Sequence, residues 1–169
     1  DVEMSFVDRE DVMNIMEAMI VHVLAEVKGV KIDTPIPRLS YQEAMDRFGS
    51  DKPDTRFGME IGDVTKHLTQ SEFRVFADAV RAGHVIRGIN VKGGATFTRR
   101  QIDQLSEQAV AMGAKGLMWF SLEENQVRSP IAKFLSDAEM QAIQAELDGD
   151  VGDLLLLVAG PWDLVSEVL

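Results

Sequence analysis

Cysteine is absent from the 169 residues, so neither a disulfide nor a thiolate metal site is available, which suits a reducing cytoplasm. No apolar run approaches the ~18 residues of a membrane span, and the nearest, Leu154 to Gly160, has only the length of a strand. No secretory leader opens the chain, so a cytoplasmic protein without membrane partners is expected. Histidine is scarce, and His22, His67 and His84 stand too far apart to repeat a metal-ligand spacing. Gly88 and Gly93-Gly94 meet neither the Walker nor the dinucleotide pattern and are read as turn residues. Positive charge is also in short supply: the net charge of −11 counts against a polyanionic partner.

The distribution of charge qualifies that last exclusion. Between Phe73 and Lys133 there are nine Lys and Arg against five acids, whereas Phe134 to Leu169 carries eight acids and no Lys or Arg. A basic middle followed by an acidic end leaves room for one cationic face, although an ordinary solvated surface has the same composition. What is plentiful is the ordinary material of a globular core, with 46% hydrophobic and 27% charged residues.

The most legible stretch is Gly93 to Phe120. Thr98 is an N-cap residue, Ile102, Leu105, Ala109 and Met112 form one apolar stripe, Gly113 ends the helix, and Leu117 to Leu122 reads as a strand. A one-faced helix followed at once by a strand implies a helix lying on a sheet. Further strands are expected at Phe73-Arg-Val-Phe76, at His84 to Val91, and at Leu154 to Ala159, which is apolar on both faces and therefore central. Ser136-Asp-Ala-Glu139 opens a helix that turns Met140, Ile143 and Leu147 inward. At the other end, Asp1 to Phe6 alternates like an edge strand. Asp8 caps a long helix closed by Gly29, whose apolar face and methionines Met13, Met16 and Met19 are read as core. Thr34 to Leu39 is an extended connector, Ser40-Tyr-Gln-Glu43 begins a short helix, and a polar loop, Gly49 to Gly58, follows it.

Three separated segments, Asp1-Val-Glu-Met-Ser-Phe6, Tyr41-Gln-Glu-Ala-Met45 and Phe48-Gly-Ser-Asp-Lys-Pro-Asp54 with Arg56-Phe-Gly58, resemble the catalytic domain of bacterial-type aspartyl-tRNA synthetases, a class II family. Asn90-Val-Lys-Gly-Gly-Ala95, Thr98-Arg-Arg-Gln-Ile-Asp103, Gly113-Ala-Lys-Gly-Leu117, Ser129-Pro-Ile-Ala-Lys-Phe134 and Gly152-Asp-Leu-Leu resemble the GAD domain inserted in those enzymes, which recurs in an archaeal tRNA-dependent amidotransferase. The resemblance implies an α+β fold: a two-layer GAD-like domain, an antiparallel sheet with helices on one face, attached to part of a class II catalytic domain. Residues 1–69 would belong to the catalytic domain, 70–160 to the insertion and 161–169 to the return segment.

It implies further that the parent enzyme, a homodimer, activates aspartate with ATP and Mg2+ and transfers it to tRNA, the insertion lying near the acceptor arm. Asp1 would hold the ammonium of bound aspartate and Glu3 would share the active-site strand. The phosphate-binding arginines of such a site are not in this chain, so the piece alone is expected to be inactive and to bind no cofactor or metal. Arg87, Lys92, Arg99, Arg100 and Lys115 are the candidates for tRNA phosphate contacts. The alternative is a non-catalytic GAD-type module that binds tRNA or protein, as in an amidotransferase. Residues 1–65 discriminate, because such a module has no need of the synthetase segments.

Overall fold

The computed structural model describes residues 2–169, apart from the side chain of Phe57. The chain forms two compact units that divide between Leu39 and Ser40.

The first unit is built on α1, Arg9–Lys28. Asp8 caps it, its carboxylate accepting from the N–H groups of Glu10 and Asp11 at 2.8 and 3.1 Å, while the Asp11 carboxylate accepts from the Asp8 N–H. Gly29, at φ 64°, closes the far end in the left-handed conformation. The extended segment after it returns along the helix: Ile36 N–H donates to Glu17 at 2.8 Å, and Arg38 reaches Glu10 and Asn14. The expectation that α1 supplies a core is corrected here. None of its residues is buried, and Val12, Ile15, Met19, Ile20, Val23 and Val27 are all exposed, because this unit offers no second apolar surface to meet them. Val2 to Phe6 is not a strand either, there being no second strand among the described residues of the unit to complete its hydrogen bonds.

The second unit is organised around a five-stranded antiparallel sheet. Its strands are β1 (Gly62–Asp63), β2 (Val85–Val91), β3 (Met118–Glu123), β4 (Gln126–Arg128) and β5 (Leu154–Gly160), in the spatial order β1-β2-β5-β3-β4. β5 occupies the centre because it is the strand with no polar face; Leu154 to Val158 are all buried. Leu155 and Leu157 point to one side, where they meet Ile86, Phe120 and Leu122 of the sheet, Phe76 and Ala79 of α3 (Arg74–Arg81), and Ile143 of α5 (Asp137–Glu146). Leu154, Leu156 and Val158 point to the other, against Ile102 and Ala109 of α4 (Arg99–Ala111) and Val165 of α6 (Trp162–Val168).

The α+β class and the antiparallel sheet agree with the sequence reading, but helices cover both faces of the sheet rather than one. A strand that is apolar on both sides needs a layer on each. Close approach on the α5 side is made possible by Gly88, where a Cβ would lie 2.6 Å from the Leu156 carbonyl oxygen and 2.9 Å from Leu157 Cγ.

Phe73 to Phe76 is not a strand. It leads into α3, in which Phe76 and Ala79 are buried three residues apart and the Phe73 ring stands edge-on to Phe76 at 5.0 Å. Residues 40–68 also pack into this unit, so contacts do not divide near Thr69. β1 pairs with β2, Val64 and Leu68 are fully buried, and Glu146 of α5 receives Lys66 and His67 at 2.9 Å each. Before them, α2 (Tyr41–Phe48) begins at the Ser40–Glu43 capping box.

Candidate nucleic-acid interface

The basic residues singled out in the sequence occupy four different environments. Arg99 and Arg100 lie in the first turn of α4. Thr98 fixes that turn: its hydroxyl accepts from the Gln101 N–H, and the Gln101 side chain accepts from the Thr98 N–H at 2.9 Å. Exposed backbone N–H groups already make a helix start positive, so two arginines there concentrate charge instead of neutralising it. Arg99 is partly offset by Asp103 one turn on, at 2.8 Å, and lies over the Trp119 ring with its guanidinium carbon 5.5 Å from the centroid. Arg100 is exposed and has no ion-pair partner among the described residues.

A second arginine, which sequence reasoning did not select, comes to the same tryptophan. Arg128 on β4 pairs with Ser121 in the ladder, and its guanidinium carbon is also 5.5 Å from the Trp119 centroid. It donates to Glu123 at 2.6 Å; the Gln126 amide and then Arg128 hold that carboxyl below its usual range. The tight turn between Glu123 and Gln126 carries the signal for this placement, since it folds β4 back on β3 and brings residue 128 opposite residue 121. Trp119 itself is buried, so the arginines cap an indole already used by the core.

Lys115 is exposed in the connection from α4 to β3 and is unpaired among the described residues. A helix of thirteen residues separates it from Arg99 by about 20 Å, so the two cannot grip one phosphate. It borders a cavity of about 640 Å³ lined mainly by Phe73, Ala82, Leu117, Met118, Pro161 and Leu164.

Two candidates are withdrawn by their surroundings. Arg87 is 2% exposed and has no surface to offer a phosphate. It donates to the Ser166 hydroxyl at 2.8 Å and to the Asp46 carbonyl. Lys92 is exposed but ringed by carboxylates: Asp148 at 3.1 Å, Asp153 at 3.3 Å and Asp150 at 3.8 Å. Asp148 first, and Asp153 after it, hold the ammonium above the usual lysine range, and a phosphate would be repelled by three negative charges to reach one positive one. Asp153 is the structural centre of that group. Burial alone would raise its carboxyl, but the N–H groups of Asp150 and Gly93, the Asn90 amide and the Lys92 ammonium outweigh it and lower it to about 2.

Asp1, the expected ligand of an aspartate ammonium, lies outside the described residues. Glu3 is exposed and belongs to no strand. The polar loop closes on itself: Asp54 accepts from the Arg56 N–H at 3.1 Å and pairs with the Arg56 side chain, and nearby Arg47 meets Glu60 through two bonds of 2.7 and 2.6 Å. Among the described residues, no group of three or more His, Asp or Glu side chains is placed to hold a metal ion.

Comparison with known proteins supplies what this geometry does not. The family model described as the GAD domain matches residues 76–169. Over all 169 residues the chain is 53% identical to an aspartate–tRNA(Asp/Asn) ligase of Caldanaerobacter subterraneus subsp. tengcongensis and 50% identical to that of Thermoanaerobacter pseudethanolicus, spanning 28% of each. It is 46% identical over 170 aligned residues to an aspartate–tRNA ligase of Bacillus licheniformis, spanning 29% of it. The chain thus spans less than a third of the length of the curated relatives it matches.

Proposed function

Because this chain belongs to the GAD domain family, we propose that it is the insertion-bearing part of an aspartate–tRNA ligase, which activates aspartate with ATP and Mg2+ and transfers it to tRNA. The observation that carries this reading is the extent of the match. The family model covers residues 76–169, yet identity to aspartate–tRNA ligases runs through residues 1–75 as well. A free-standing GAD module gives no reason for that continuation, which weighs against the amidotransferase alternative.

In this reading residues 1–69 contribute to the catalytic domain, with Asp1 toward the ammonium of aspartate and Glu3 beside it. Residues 70–160 form the insertion and 161–169 lead back. The parent is a cytoplasmic homodimer. ATP and Mg2+ are handled by residues outside this chain, where the phosphate-binding arginines lie. The share left to this chain is to present cations to the acceptor arm of tRNA. Arg99 and Arg100 at the start of α4 and Lys115 at its far end remain the phosphate contacts, their spacing suited to successive points along a backbone rather than to one bound anion. Arg128 joins them as the neighbour of Arg99 over the Trp119 ring.

The test is aspartate-dependent exchange of pyrophosphate into ATP by the full-length protein. Exchange that requires aspartate supports the proposal. Exchange driven by another amino acid, or none at all, refutes it.

A further inference from the structure

Residue 87 stands in the middle of β2, in a run whose neighbours on the same face, Val85 and Ile89, pack into apolar clusters. An apolar side chain would serve the sheet equally well here, because a buried ion is expensive to desolvate and hydrophobic replacements of buried charges are often neutral or stabilising. The arginine has a different use, visible in what it holds. Its fork donates in two directions: to the Ser166 hydroxyl of α6, 79 residues away, and to the Asp46 carbonyl of α2, 41 residues away. The second acceptor is among the last carbonyls of α2, which have no partner inside the helix and attract a cation. Trp162, at the start of α6, lies 5.7 Å from the guanidinium carbon.

Two carboxylates oppose the cost of burial. Asp63 sits opposite Arg87 in the β1–β2 ladder and Asp46 is on α2; desolvation nonetheless dominates and lowers the guanidinium below its ordinary value. The two helices also touch where Gly49 ends α2. That glycine has φ 66°, and a Cβ on it would fall 2.2 Å from the Ser166 carbonyl oxygen.

We propose that Arg87 is a positioning residue that ties the segment leading into the inserted domain, at Asp46, and the segment leading out, at Ser166, to one strand of its central sheet, and so fixes how the insertion is held for tRNA. This rests on the ligase reading above. Lysine cannot replace the fork, since one ammonium on a flexible stem does not span two acceptors fixed on separate helices. Methionine keeps the volume and the burial but ties nothing.

The experiment compares full-length wild-type protein with Arg87→Met, Arg87→Lys and Ser166→Ala. It measures aspartate-dependent pyrophosphate exchange, tRNA charging, thermal unfolding, and deuterium uptake by the amides of α2 and α6. For Arg87→Met, pyrophosphate exchange should stay within about two-fold of wild type while the KM for tRNA rises about ten-fold with a smaller change in kcat, the pattern of a misoriented binding surface. Deuterium uptake should increase at α2 and α6 and not in β5. Ser166→Ala, which keeps the fold and loses one tie, should shift KM in the same direction by less, and Arg87→Lys should restore only part of the loss. Unchanged KM for tRNA with unchanged uptake overturns the proposal, as does a proportional fall of pyrophosphate exchange and charging together. A wild-type protein with neither activity refutes the ligase reading instead, and the uptake at α2 and α6 then decides the tie by itself.

Discussion

Replacing Asp153 by Asn isolates the polar centre that joins β2 to the start of β5. The carboxylate is 5% exposed and accepts from the Gly93 N–H at 2.9 Å, the Asp150 N–H at 3.0 Å and the Asn90 amide at 3.0 Å, with Lys92 at 3.3 Å. Burial works against the charge, but these donors hold the carboxyl at about 2 against an ordinary 3.8, a gap worth about 2 kcal/mol of folding stability. Because the folded value is the lower one, this contribution is complete above the unfolded value near 4 and disappears as the pH falls toward 2. Asparagine removes the charge and also turns an N–H2 toward backbone donors, which adds about 1 kcal/mol. The loss at pH 7 should therefore be about 3 kcal/mol, narrowing on acidification as the wild type gives up its own carboxylate. Urea unfolding followed by tryptophan fluorescence reads this directly, since both tryptophans, Trp119 and Trp162, belong to the second unit. A loss below about 1 kcal/mol at pH 7, or a gap between variant and wild type that is the same at pH 3 as at pH 7, refutes the reasoning.

Other consequences are open to similar measurement. Ile143→Ala empties a fully buried position between α5 and the sheet and should cost about 3 kcal/mol in the same unfolding assay, whereas Val27→Ala, on the exposed face of α1, should leave the second unit unchanged. Arg100→Ala and Lys115→Ala in the full-length protein should each weaken tRNA binding and flatten its dependence on salt by about one phosphate contact. Lys92→Ala should do neither, because its carboxylate neighbours already occupy the charge.

Local signals carried much of this architecture. The start of α4 was legible because Thr98 is an N-cap residue, and β5 because a run from Leu154 to Val158 leaves no side for water. The same run implied two covering layers, a consequence the one-faced expectation did not follow through. α3 was misread because the window stopped at Phe76; its helical spacing becomes visible only when Ala79 is included. No pattern within α1 distinguishes an apolar face that is packed from one that is bare, since periodicity records the need for a partner and not where the partner is.

The site was less legible than the fold, for a reason of distance. Lys92 looks like a free cation in its own segment, and the carboxylates that claim it are 56 to 61 positions further on, brought beside it only by the pairing of β2 with β5. Arg87 did leave a trace, as the one charged residue in Val85 to Val91. A lone charge in an otherwise uncharged strand points inward to a specific partner as readily as outward to a ligand, and Ser166 and Asp46 were too remote in sequence to be named.

The most direct test of the account is the charging of tRNA with labelled aspartate by the full-length protein, assayed beside its ability to charge any other amino acid. The account requires aspartyl-tRNA to accumulate, dependent on ATP and on this amino acid alone. An enzyme that binds tRNA and leaves it uncharged with aspartate, or charges a different amino acid in preference, contradicts it.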